Sequence, residues 1–150
     1  PQTVVEMPNF ASDSAAAVRV PDVAFKDSIA KFAYEQAGLG PEDVDVAEVY
    51  DLSSALELDW YENIGLCGPG EAEKLVHDGA TTIGGRIPVN PSGGLLSKGE
   101  PLGASGLGQV VELVHQLRGE AGARQVAGAR VGLAHTVGRG ANASCVIVTR

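Results

Sequence analysis

Apolar residues recur with two different periods along the chain, and the switches between them mark out helices and strands. From Asp22, an N-cap candidate after Pro21, the positions Phe25, Ile29, Phe32 and Ala33 keep a helical spacing until "GLGPED" ends it. "VDVAEVYDLSS" then alternates, which predicts a strand over Val44 to Tyr50 and a polar turn. In that turn Ser54 with Glu57 reads as a capping box for a second helix, whose buried face is Leu56, Trp60 and Ile64. "CGPGEAEKLVHDG" predicts a short helix after a Pro-Gly turn, and "RIPVN" a brief strand. Leu107, Val110, Val111, Val114 and Leu117 form an apolar stripe, so a longer helix is expected to start near Ser105. "ARVGLAHTV" and "ASCVIV" close the chain as two strands, the second unbroken enough to be a central, two-sided one. Residues 1–20 carry no helix period and only a strand-like "TVVEM", so 1–21 reads as a connector or strand remnant and 22–150 as one domain. Strands alternating with helices, then a closing β-pair, predict a layered α/β domain.

Composition changes this picture in a few places. The formal charge is -8 and the 11 Lys and Arg are scattered, which argues against binding a nucleic-acid backbone. Cys67 and Cys145 lie far apart with no ligand-like spacing, so the chain reads as metal-free, with free thiols and hence a cytoplasmic setting. No apolar run reaches the roughly 18 residues that cross a bilayer, and no basic-then-apolar leader precedes Pro1. A soluble chain, not held in a membrane, is expected.

The candidate chemistry centres on "NPSGGLLSKGEPLGASGLGQ", residues 90 to 109, where Glu100 is set between Gly99 and Pro101. The spacing is neither a dinucleotide fingerprint nor a P-loop, and no Lys-Ser/Thr pair follows. Glycines let backbone approach backbone or ligand. A loop of this kind either lines a narrow pocket, delivering Glu100 to a helix N-terminus whose N–H groups favour an anion, or is a tight turn feeding a helix. Asn90 and Ser92 are expected to brace it through bonds from side chain to backbone. Along "VGLAHTV", Val131, Leu133 and His135 share one strand face while Thr136 points to the other. If the Thr136 side holds the site, His135 is structural. His77 falls in a polar turn, His115 on a helix surface, Cys67 reads as a packed thiol and Cys145 as core.

The run "EVYDLSSALELDWYENIGLCGPGEAEKLVHDGATTIGGRIPVNPSGGLLSKGEPLGASGLGQVVELVHQLRG", followed by "GARVGLAHTVGRGANA", resembles the C-terminal half of thiolases. It is most similar to the sterol-carrier-protein-like, or lipid-transfer-protein-type, subgroup. The resemblance implies a thiolase-fold C-terminal domain of βαβαβαββ type with a mixed five-stranded sheet. It also implies a preceding half that supplies a nucleophilic cysteine. Three family motifs are altered here. The "GHP" loop is "GEP", putting Glu100 where a histidine activates the nucleophile. "HDCF" becomes "YDLS", so Tyr50, followed by Asp51, stands where His or Asn orients a substrate oxygen. "CxG" becomes "TVG", Thr136 to Gly138, and the threonine has no useful acid/base pKa.

The resemblance therefore implies a site of Tyr50, Glu100, Thr136 and Gly138, with Asp51, Asn90, Gly99, Pro101, Ser105 and His135 toward the substrate. It implies Claisen-type acyl transfer or thiolysis of a 3-ketoacyl-CoA, the coenzyme A thioester being substrate and no resident cofactor being needed. Two alternatives stay open: a retro-aldol lyase on a β-hydroxyacyl-CoA lipid or steroid side chain, which Tyr50 favours, and a non-catalytic scaffold. Implied partners are an N-terminal thiolase half or a homodimer mate, and an OB-fold and zinc-ribbon protein. Alone, the chain is expected to be inactive.

Overall fold

In the computed structural model the described residues are 2–5, 25, 28–138 and 142–150. They form a four-stranded sheet in the order β1–β4–β3–β2, where β1 is Gln2–Val5, β2 is Val46–Glu48, β3 is Val131–Gly138 and β4 is Asn142–Thr149. β2 runs parallel to β3, with Glu48 opposite Ala134, and β3 pairs antiparallel with β4 along their whole length. β4, predicted to be central, lies between β3 and β1. "RIPVN" contributes one parallel bridge, Val89 to Ala47, rather than a strand. This is the expected mixed α/β architecture, with four of the five anticipated strands seen among the described residues.

Helices cover both sheet faces. On one side α1 (Ile29–Ala37) and α2 (Ser54–Asn63) pack on Leu133, Ala47 and Cys145. On the other, α5 (Ala104–Arg118) sets Leu113 and Leu117 on Val46 and Ala134. The short α3 (Ala72–His77) and α4 (Gly94–Lys98) complete the set.

The sequence expectations are refined at several helices. The N-cap candidate Asp22 lies outside the described residues; among those described, α1 begins at Ile29, where the Ser28 hydroxyl accepts from the Lys31 amide. Its buried face is Ile29, Ala30, Ala33 and Tyr34, while Phe32 is exposed, because 100° per residue carries position 32 off that face. The cap of α2 is Ser53, not Ser54: the Ser53 hydroxyl accepts from the Leu56 amide, and Glu57 turns inward instead. Only part of the α5 stripe faces the sheet, Leu117 and Val110 packing against Val46 and Ala134. Leu107 and Val111 are 70% and 54% exposed, whereas Gln109, Glu112 and Gln116 are buried beneath the helix.

Apart from Gln109 Oε1, those buried polar groups are paired. Gln109 Nε2 donates to the His135 carbonyl at 3.0 Å, and Gln116 Oε1 accepts from the Val126 amide at 2.7 Å. Glu112 takes Arg124 as a two-pronged partner at 3.2 and 2.9 Å, bonds that draw its carboxyl below the usual range although burial, the largest influence, opposes them.

Candidate functional site

The parallel pair β2 and β3 ends at one edge of the sheet, so the segments that follow both strands emerge together. From β2 come Tyr50 and Asp51; from β3 come Thr136 and Gly138. Crevices outside the carboxyl ends of parallel strands are where open α/β sheets bind ligands. The glycine-rich loop and the first turn of α5 lie over this edge. Gly106 packs on Thr136, so close that an added Cβ would come 3.3 Å from Thr136 Cγ2.

Two of the residues singled out by sequence are in direct contact. The buried Tyr50 hydroxyl donates a hydrogen bond to Oε1 of Glu100, which is otherwise exposed. The two are 50 positions apart, and three devices bring them together. Asp51, 2% exposed, accepts from the Leu95 amide at 2.6 Å and from the Leu96 amide at 3.4 Å, so it caps the start of α4. Asn90, with a left-handed φ of 49°, accepts from the Val49 amide at 2.8 Å and donates to Glu57 Oε1 at 3.2 Å. Glu48, fully buried, accepts from the Ser92 amide at 3.2 Å and from the Ser92 hydroxyl at 2.6 Å. Lys98 Nζ in turn donates to Ser92 Oγ at 2.6 Å and lies 4.0 Å from Glu48. Side chains beside β2 therefore hold both ends of α4, and Glu100 leaves α4 two residues after Lys98.

Glu48 is one of the residues sequence reading passed over. A glutamate inside an alternating strand looks like a solvent-facing position, yet burial here pushes its carboxyl above the usual range, against weaker lowering by Ser92 and Lys98. Glu57 behaves alike, raised first by burial. Asn90 and Ser92 do brace the loop, through carboxylates as well as backbone.

Other candidates land elsewhere. The α5 N-terminus offers less to an anion than its sequence suggests, since the Ala104 and Ser105 amides and the Ser105 hydroxyl all donate to the Pro101 carbonyl. Gly99 and Pro101 flank Glu100 in an exposed stretch, and Gly138 is exposed at the end of β3. His135 faces away from Thr136, toward Trp60, with ring centroids 4.7 Å apart. Its burial is complete enough to hold the imidazole down at about 4. Cys67 and Cys145 are pushed up to about 11 and about 12, first by burial, which suits packed thiols and not nucleophiles.

The order of these elements, with an altered "GEP" loop laid over the carboxyl edge, coincides with a family model described as thiolase C-terminal domain-like, which matches residues 10–150. The chain belongs to this thiolase family. Among similar proteins, sterol carrier protein 2 of Bos taurus is 55% identical over 120 residues, covering 80% of this chain and 22% of its own length. An acetyl-CoA acetyltransferase of Methanothermobacter thermautotrophicus is 49% identical over 109 residues, covering 73% of this chain and 28% of its own. A solved structure, the Ltp2-ChsH2(DUF35) aldolase, superposes with a TM-score of 0.71 at 34% identity, over 81% of this chain and 30% of that one. The thiolase-family chain thus spans less than a third of each of these proteins.

Proposed function

We propose that this thiolase-family chain forms the proton-handling side of an enzyme that cleaves a carbon–carbon bond in a β-hydroxyacyl coenzyme A thioester by a retro-aldol reaction. The hydrogen bond from Tyr50 to Glu100 carries this reading. A phenol held against a carboxylate can take the proton of a β-hydroxyl while passing its own to Glu100. As the Cα–Cβ bond breaks, its electron pair moves to the thioester as an enolate and a carbonyl forms at Cβ. The proton held by the pair then returns to Cα. A ketone or aldehyde and a shorter acyl thioester leave, with atoms and charge balanced and no resident cofactor needed.

Support also comes from what replaces the family side chains. An ionised Glu100 beside a thiolate would repel it, and Thr136 offers no acid/base group for Claisen chemistry. The likeness to a structure named as an aldolase agrees with this. Its name joins two proteins, one marked DUF35, which supports a partner for this chain too, whether an N-terminal thiolase half, a homodimer mate or an OB-fold and zinc-ribbon protein.

A second reading, Claisen-type acyl transfer or thiolysis of a 3-ketoacyl-CoA, is favoured by the intact "PLGASG" frame after Glu100 and by the acetyltransferase relative. The complete enzyme, given a β-hydroxyacyl-CoA and separately a 3-ketoacyl-CoA with free coenzyme A, separates the two. Retro-aldol products from the first substrate, with Glu100→His abolishing them, are expected. Thiolysis of the second, raised by Glu100→His, would establish the acyl-transfer reading instead.

A further inference from the structure

α4 leads the chain to Glu100, yet apolar packing does little to fix its far end. Of its side chains only Leu95 is buried, while Leu96, Ser97 and Lys98 are exposed. Between α4 and the first turns of α5 lies an open pocket of about 110 Å³, lined by Glu48, Leu95, Lys98, Ala104 and Gln109 among others. The end of α4 therefore borders space, and polar contacts set where it stops. Those contacts meet at one oxygen. The Ser92 hydroxyl accepts from the Gly94 amide at 3.3 Å and from Lys98 Nζ at 2.6 Å, the first and last residues of α4, and donates to Glu48 Oε2 at 2.6 Å. With one hydrogen and two lone pairs, its capacity is then full. Glu48 is the fully buried last residue of β2, and its other oxygen accepts from the Ser92 amide at 3.2 Å. Lys98 Nζ lies 4.0 Å from the same carboxylate.

Gly99 follows Lys98 with a left-handed φ of 77°, and next comes Glu100, which meets the hydroxyl of Tyr50. Asp51 holds the other end of α4 through the Leu95 and Leu96 amides. The end of β2 and the residues just after it thus supply the phenol together with two carboxylates that aim its partner. We propose that Glu48 and Lys98 are positioning residues of the Tyr50–Glu100 pair: joined through the Ser92 hydroxyl, they fix the C-terminal end of α4 and so hold the Glu100 carboxylate within reach of the phenol. This rests on the reading of Tyr50 and Glu100 as the groups that move the proton. A misplacement of about 1 Å at a reacting group costs on the order of 10²-fold in rate. Loss of the tie is therefore felt in turnover, while substrate binding is left alone.

The test is kinetic and uses the complete enzyme with a β-hydroxyacyl-CoA. Lys98→Met keeps the length of an exposed side chain and removes the donor. It is expected to lower kcat by roughly ten- to a hundredfold with KM and Tm nearly unchanged, and Lys98→Arg, which can still donate to Ser92, to recover most of that loss. Glu48→Gln, which sets an amide NH₂ against the filled Ser92 hydroxyl, should lower kcat by a similar factor. The Glu48→Gln, Lys98→Met double variant should be no slower than the slower single one, since both break one tie. In a Glu100→Gln background Lys98→Met should change nothing further, because the carboxylate it positions is gone, whereas a general weakening of the fold would still slow that enzyme. Lys98→Met turning over at the wild-type rate, raising KM in place of lowering kcat, or slowing the Glu100→Gln enzyme by its full factor would overturn the inference and leave the proton pair standing. A Glu100→Gln enzyme as fast as the wild type would overturn the pair and the inference with it.

Discussion

At the residue scale the site is a set of carboxylates held in unlike surroundings, and each has its own consequence. Asp51 accepts two hydrogen bonds from the amides at the start of α4, so Asp51→Ala should destabilise the fold by about 2–3 kcal/mol and release Glu100 from Tyr50, read as a lower Tm together with lost turnover. His135 is held at about 4 in the fold against 6.5 in the open chain, so the folded protein binds fewer protons in between. Its contribution to stability is whole above pH 6.5 and is lost as the pH falls toward 4. Urea titrations at pH 7 and pH 5 should differ by about 2 kcal/mol more in the wild type than in His135→Met. Glu48 has the opposite sign. Its carboxyl is raised above 4.5, so the stability it lends is complete below that value and declines as the pH climbs through its folded value, a decline that Glu48→Gln should remove. Tyr50 and Glu100 were legible in the sequence because each departs from a known motif. Glu48, Gln109 and Glu112 were not, because a lone Gln or Glu in a periodic pattern reads as solvated until a buried partner is found for it.

At the scale of elements, periodicity located the helices except α4, which lies inside the glycine-rich segment read as a loop, and the strands except the "RIPVN" bridge, and it misplaced faces and caps. The α5 pattern shows why. Its apolar stripe is real, yet the side that meets the sheet is built from Leu113, Leu117 and three polar residues whose partners sit on β3 and in the segment 124–126. No count of apolar positions can foresee that pairing. α4 is the most constrained element: Gly94 has φ 62° and abuts the Asp51 carboxylate, where an added Cβ would overlap the oxygens. Gly94→Ala should therefore mimic loss of the Asp51 cap, lowering Tm and turnover together. Gly108→Ala, one helix further on, should keep or raise Tm.

At the scale of the whole molecule, Leu96, Leu102, Leu107 and Val111 leave a largely apolar surface on α4, its following loop and α5, each more than half exposed. Large apolar side chains left exposed in one stretch of chain are a mark of contacts with other protein, and the chain spans under a third of the proteins it resembles. Residues 1–150 at micromolar concentration should therefore self-associate or bind the remainder of the enzyme, and a Leu107→Glu, Val111→Glu variant should scatter light as a monomer. The claim on which the functional account stands is that Tyr50 and Glu100 move one proton as a unit, and a double-mutant cycle on the complete enzyme tests it most directly. Tyr50→Phe and Glu100→Gln should each cut kcat by roughly 10²- to 10⁴-fold with KM nearly unchanged, and the double variant should be no slower than the slower single one. Fully additive losses, or a Glu100→Gln enzyme that turns over at the wild-type rate, would contradict it.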